Sequence, residues 1–408
     1  MKEIMKQTPL FKKHMQTASK VINLKGYARP VEYVGHVKEH KATREEVTIC
    51  DVSHMGEIMI TGKDSLALVQ KIITNDASKM SIGQAMYSVM CNEKGHIIDD
   101  LICFRLAQDE FLWVVNVTKV NEDFQWILQH SQGMEVQVTN ISCETALIAL
   151  QGPNSRETLQ KITKADLSTL GYYRLTKTSI CTSEMEVPCI ISRTGYTGER
   201  GYEVCTRREL APFVWDELLL VGKPLGIVPH GVAARESLRI EAGLLLNGND
   251  MDEATNPYEV SLGKVVKFTK DFIGKDALLK ASQEDVKRIL VGFEVLSHAT
   301  VRHGYPIFKD GRQIGKVTSG TVSKNLINRS IGLGFVLREY CEPGTEIQID
   351  LRGKVCQAVI VPLPFYPHQV KVEPSVNTYS PYDLKFSSSH FWVLPGENDV
   401  VTIGLSDF

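Results

Sequence analysis

Ile97-Ile98-Asp99-Asp100-Leu101-Ile102-Cys103-Phe104-Arg105-Leu106 is an apolar run rich in β-branched and aromatic residues, interrupted by two adjacent carboxylates. Runs of this make-up read as a strand. Tyr87–Cys91 before it and Glu110–Val117 after it read the same way. Upstream, Gly56-Glu57-Ile58-Met59-Ile60-Thr61-Gly62 alternates between glycines, another strand signal. Asp64–Ile73 carries apolar residues at 66, 68, 69, 72 and 73, which predicts an amphipathic helix with Asp64 or Ser65 as N-cap. Val120–Gln129 predicts a second helix. Strands in sequence neighbourhood, interleaved with helices, imply an α+β unit with an antiparallel sheet.

Further out, Leu147–Leu150 predicts a strand, Gln151–Asn154 a turn, and Ser155–Ile162 a helix capped by Ser155. Glu186–Ser192 and Tyr202–Thr206 predict strands around a glycine-rich connection. Leu210–Val221 and Ala233–Gly243 predict helices, and Thr8–Glu39 reads as mixed helix and loop. After Lys270 the texture becomes all-β. Ile289–Leu296, Pro306–Phe308, Ile314–Ser319, Gly332–Leu337 and Lys354–Pro362 are short runs separated by turns, which predicts a small sandwich or barrel over 285–366.

The chain has 408 residues, enough for two or three domains. A net charge of −2 argues against a nucleic-acid binder driven by overall electrostatics. With 43% hydrophobic and 23% charged residues the composition is ordinary globular. No apolar run is long enough to span a membrane, and Met1–Gln7 has no signal-like h-region. A cytoplasmic protein is expected. The nine cysteines contain no C-x-x-C pair, and there is no H-E-x-x-H motif, so no metal is expected. The cysteines read as small hydrophobes in a reducing compartment.

Four segments could carry chemistry. Asp99 and Asp100 face opposite sides if they lie in a strand. Buried carboxylates are costly unless paired or working, and the alternative is a strand entry with both in water. In Thr194-Gly195-Tyr196-Thr197-Gly198-Glu199-Arg200-Gly201-Tyr202-Glu203, three glycines could let backbone approach a flat ligand. Two tyrosines could stack on that ligand, and Glu203 could accept paired N–H donors. The alternative is a hairpin whose glycines serve positive φ. Arg235 and Arg239 share a helix face, as do Ser237 and Glu241. One arginine could grip a carboxylate bidentately, or the face could be an ordinary salt-bridged one. In Asp51-Val52-Ser53-His54-Met55-Gly56, the residues are too close together for a nucleophilic triad, and His54 reads as a satisfied structural histidine.

In order along the chain, these segments resemble the glycine cleavage T protein (aminomethyltransferase) family. The collinear series runs from Thr8-Pro9-Leu10-Phe11 through Asp51–Gly56, Thr74-Asn75-Asp76, Tyr87-Ser88, Ile98–Leu101, Val115-Asn116 and Gln151-Gly152-Pro153. It continues with Gly195–Gly198, Gly201–Glu203, Arg235–Gly243, Gly248–Asp252, Asn256-Pro257, Phe272–Lys275, Thr318-Ser319-Gly320 and Pro364-Phe365-Tyr366. The resemblance implies a three-domain cloverleaf: two α/β antiparallel-sheet domains and a C-terminal β-barrel. The expected division is 1–52 with 135–245, then 53–134 with 246–284 (ferredoxin-like), then the barrel at 285–366.

It also implies transfer of the methylene carbon from the aminomethyl-lipoyl arm of H protein to tetrahydrofolate, with release of ammonia. Lipoate would enter only through that H-protein partner, and no nucleic acid or membrane partner is implied. Residue by residue, Asp100 falls at the catalytic carboxylate, Glu203 at the acid on the pterin edge, and Arg235 at the grip on the folate glutamate. Tyr87, Asn116 and Tyr196 fall at folate-lining positions, with Met55 beside them. Departures are Gly26-Tyr27, Ala234-Arg235-Glu236, Leu246-Asn247-Gly248 and Ser323-Lys324-Asn325. Related readings are a folate-dependent demethylase of the same superfamily and a non-catalytic folate-binding assembly protein. The latter branch's cysteine motif is missing where Arg193–Glu199 stands. Residues 367–408 extend past the resemblance. They read as a linker followed by Asp383–Val393 and Asp399–Phe408, a short β tail that resembles the first two strands of glycine cleavage H protein. A truncated T–H fusion is the expectation for this ending.

Overall fold

The structure is a computed structural model that describes residues 5–297, 299–323, 329–370, 385–386, 391–395 and 401–405. It divides into two compact units, Met1–Gln369 and Val370–Phe408.

In the first unit a six-stranded sheet runs in the order Leu175–Cys181, Glu186–Ser192, Gly201–Arg207, Thr145–Gln151, Thr48–Asp51, Val228–Pro229. All its pairings are antiparallel except the last, where the short Val228–Pro229 strand lies parallel to Thr48–Asp51. The period-2 geometry of Thr145–Gln151 divides its side chains. Ala146, Ile148 and Leu150 enter a core with Val214, Trp215 and Leu218 of the helix Ala211–Gly222. Leu147 and Ala149 face the other way.

A five-stranded antiparallel sheet runs in the order Gln84–Cys91, Ile97–Ala107, Glu110–Val115, Gly56–Thr61, Gln137–Asn140. One face packs Ile58, Trp113 and Cys103 against Leu68 and Ile72 of the helix Ser65–Ile72 and Ile127 of the helix Val120–His130. The other face presents Phe104 and Leu112, which meet Leu175 and Ile190 of the first sheet. The two sheets thus lay their second faces toward each other. Side-chain alternation along Ile97–Ala107 sends Asp99 with Leu101 and Cys103 toward the helices. It sends Asp100 with Ile102 and Phe104 toward the space between the sheets.

The all-β segment closes into a six-stranded barrel: Arg288–Val295, Ser330–Leu337, Arg312–Val322, Pro306–Lys309, Glu346–Asp350, Val355–Val361 and back to the first. The α+β class with antiparallel sheets and a C-terminal barrel is as expected. Other details differ. Thr8–Glu39 contains a hairpin, Lys20–Leu24 with Tyr27–Glu32. The helix from Ser155 ends at Gln160 with Asn154 at the N-cap position. Asp64 stands at its N-cap position but spends its carboxylate on the Glu135 N–H at 2.8 Å.

In the second unit Lys385–Phe386, Phe391–Pro395 and Val401–Leu405 form an antiparallel sheet in that order. The linker reading falls mostly outside the described residues.

Candidate active site

A cavity of about 520 Å³ lies between the sheets and the helix Val232–Glu241. Its wall includes Met55, Tyr87, Asp100, Asn116, Tyr196, Glu203 and Arg235, so the structure brings all seven sequence-predicted residues to one space. Apolar walls with a few placed polar groups are the usual make-up of a small-molecule site.

Asp100 is held at the wall by two donors. Tyr87 Oη donates to its Oδ2 at 3.0 Å, and Asn116 Nδ2 donates to its Oδ1 at 2.8 Å. Burial, then the charge of Asp99, push the Asp100 carboxyl up to about 7. Asp99 does not line the cavity. It is fully buried behind the strand and accepts from Asn116 Nδ2 at 2.8 Å and from the Asn116 backbone N–H at 3.0 Å. Burial raises its proton affinity too. Both carboxylates in water is therefore not the arrangement found.

The glycine-rich loop serves a different purpose from the one its spacing suggested. A Cβ on Gly195 or Gly201 would run into the Gln151 side chain, at 2.1 and 2.3 Å. Gln151 uses that room to donate to Thr194 O at 3.2 Å and accept from Thr197 Oγ1 at 2.8 Å. Gly198 does take a positive φ of 78°. The glycines thus fit the loop to the protein itself. Tyr196 faces the cavity and its hydroxyl donates to Leu245 O. Tyr202 turns into the first core and reaches no ligand space. Glu203 stays at the wall, accepting from Thr194 Oγ1 at 2.5 Å, with its carboxyl raised by burial.

On the helix Val232–Glu241 the two arginines part. Arg235 faces the cavity, its guanidinium 4.7 Å from the Tyr196 ring centroid. Arg239 is fully buried and ion-paired with Asp250 and Glu236. Ser237 and Glu241 both meet His40, at 2.7 and 3.0 Å, and Glu241 also takes Arg44 at 2.9 Å. Arg44 in turn stacks 4.0 Å over Tyr366, so the motif at 364–366 clamps this helix.

The site also holds residues the sequence reading passed over. Lys25 and Arg29, from the unexpected hairpin, line the cavity. Burial lowers the proton affinity of both, Arg29 to about 10. His54 is buried at the wall and Nδ1 has no partner among the described residues, so it is not the satisfied histidine expected. Burial, then Arg29 and Arg235, hold it neutral. Asp51 pairs with His14 at 2.7 Å.

The model of the GCVT N-terminal domain matches residues 10–270, and that of the glycine cleavage T-protein C-terminal barrel domain matches 288–367. The chain belongs to the glycine cleavage T-protein family. Curated relatives named aminomethyltransferase include that of Halothermothrix orenii, 44% identical over 88% of this chain and 100% of its own length. Those of Thermosipho melanesiensis and Thermotoga maritima are 42% and 43% identical, each over 90% of this chain and 99% and 100% of their own. Among solved structures, the glycine cleavage system aminomethyltransferase T from Bartonella henselae superposes with a TM-score of 0.83 at 31% identity. It covers 90% of this chain and 99% of that one. These matches place the cavity inside the family's N-terminal domain segment.

Among the described residues no helix is long and apolar enough to cross a membrane.

Proposed function

We propose that this T-protein family member is an aminomethyltransferase. In this reading it moves the methylene carbon from the aminomethyl-lipoyl arm of H protein to tetrahydrofolate and releases ammonia. The observation that carries the reading is the single cavity in which Asp100, Glu203 and Arg235 are spaced along one wall system. Those three groups suit the three parts of such a co-substrate: a reacting amine, a heterocycle edge and a carboxylate tail.

The co-substrate supplies the nucleophilic nitrogen that accepts the carbon. The chain supplies the rest. Glu203, steadied by Thr194, offers acceptor oxygens to paired N–H groups. Arg235, fixed over Tyr196, offers two N–H donors to a carboxylate. Asp100 can take a proton near neutral pH, because burial puts its affinity at about 7. Its negative charge also favours the cationic character that develops as ammonia departs. Tyr87 and Asn116 hold that carboxylate still. A cytoplasmic site of action fits the same reading. We also read the tail strands, with Trp392-Val393 in one and Ile403-Gly404 in the other, as related to the opening strands of H protein.

The deciding experiment measures ammonia release from aminomethylated H protein with and without tetrahydrofolate. Folate-dependent release is expected. Turnover of a small methylated amine without any need for H protein would overturn the reading in favour of a demethylase.

A further inference from the structure

Behind the cavity wall sits a carboxyl that touches no ligand space. Asp123, in the first turn of the helix Val120–His130, is fully buried, and no donor among the described residues reaches either of its oxygens. The group it lies against is the carboxyl of Asp99, which after burial does most to raise its proton affinity. Two buried carboxylates in contact cannot both be ionised, so one of them carries a proton.

The hydrogen bonds say which. Both Asp99 oxygens face N–H donors: Oδ1 faces Asn116 Nδ2 at 2.8 Å, and Oδ2 faces the Asn116 backbone N–H at 3.0 Å. N–H donors call for the ionised form. Asp123 has no N–H to accept from, and only as the acid can it satisfy Asp99.

Resting on the aminomethyltransferase reading, we propose that Asp123 holds a proton that it donates to Asp99. Asp99 thereby stays a fixed negative charge that positions Asn116 and governs the charge of Asp100. Asp123 is a positioning residue acting through Asp99. The same Asn116 amide that serves Asp99 also reaches Asp100, so the buried pair and the cavity carboxylate share one connector.

The surrounding charges agree with this assignment. Burial first, then Asp99, drive the Asp123 proton affinity upward. Glu122 adds to that, and Lys119 opposes it but is committed to Glu122 and Glu253, at 2.9 and 2.5 Å. Lys25, on the cavity side, feels Asp99 only after burial, Glu236, Arg29 and Arg239. Around Asp100 the other titratable groups are Tyr87, Tyr173 and Tyr196, all held as neutral phenols.

The test has two arms. Infrared difference spectra of the free protein at pH 8, taken in a Glu57→Gln background because buried Glu57 also holds a proton up to about 8, should show a protonated carboxyl band that survives Asp100→Asn and is lost in Asp123→Asn. In the kcat–pH profile, Asp99→Asn removes a like charge beside Asp100. The acidic limb should therefore move to lower pH by about one unit. Asp123→Ala, which leaves Asp99 without its donor, should move it the same way. Asp123→Asn still offers an N–H to Asp99 and should leave the limb in place. Absence of the band in the wild type, an unmoved limb in Asp99→Asn, or equal shifts in Asp123→Asn and Asp123→Ala would overturn the proposal. The infrared arm needs no turnover. A protein that shows the band but does not act on aminomethylated H protein defeats the functional reading, not the proton assignment.

Discussion

Arg239 and Asp250 form an ion pair at 2.5 Å with neither side chain exposed. Asp250 also accepts from Thr318 Oγ1 at 2.5 Å and Ser319 Oγ at 2.7 Å, both on a barrel strand. Ser319 accepts from Arg239 at 2.7 Å. One buried carboxylate therefore ties the helix that carries Arg235 to the barrel. Truncating Asp250 leaves the buried Arg239 guanidinium with only the partly exposed Glu236 and strands the Thr318 and Ser319 hydroxyls. Asp250→Ala should cost about 3–5 kcal/mol in urea unfolding. A loss below about 1 kcal/mol, the range of an exposed pair, would reject this account.

Asp100→Asn keeps the shape of the side chain but neither takes a proton nor carries a charge. Turnover with aminomethylated H protein should fall by about 10²–10⁴-fold, the usual worth of positioned acid–base help. Folate affinity, read by equilibrium binding, should change little. In the wild type, turnover should fall as the pH drops through about 7, because the working form is the carboxylate. Near-full turnover in the variant would remove Asp100 from the mechanism.

Much of this arrangement is legible in the sequence, and the rest is silent there for physical reasons. Period-2 alternation correctly set Asp99 and Asp100 on opposite faces, and the turn-spaced runs after Lys270 did become a closed sheet. The hairpin at 20–32 was missed because its two-residue turn is Lys25-Gly26, with φ of 52° and 84°. Two positive φ values at a two-residue hairpin loop usually announce themselves as Asn-Gly or Asp-Gly. With Lys in the first place that signal is silent, and Lys25 and Arg29 went unplaced. Tyr202 reads as a stacking residue because Glu203 beside it lines the cavity, whereas strand alternation turns Tyr202 into the core. The partnership of Asp123 with Asp99 links residues on different elements, and no local pattern encodes it.

Arg235 should govern affinity more than rate. Among the described residues no carboxylate forms an ion pair with it, and its guanidinium is oriented by Tyr196. A hydrogen-bonded charged contact is worth about 1.5–3 kcal/mol. Arg235→Gln should therefore weaken tetrahydrofolate binding roughly 10- to 100-fold while kcat at saturation is largely kept. Arg235→Lys should recover only part of that, since a point charge cannot reproduce the planar fork. Unchanged KM for folate in Arg235→Gln would place the tail elsewhere.

Glu57 gives a stability test independent of function. It is buried on the strand Gly56–Thr61, and burial pushes its carboxyl up to about 8 against the opposing influence of the Thr145 hydroxyl. In the unfolded chain it titrates near 4.3. Below that value both states are protonated and pH has no effect through this group. Between the two values the unfolded chain ionises and the folded one does not. Unfolding then releases a proton, and stability falls as pH rises, by about 1.4 kcal/mol per unit. Glu57→Gln, neutral at every pH, lacks this loss. Its stability relative to the wild type should climb steadily from pH 5 to pH 8 and level off above. Parallel stability curves for the two proteins across that range would mean that Glu57 is ionised in the folded state.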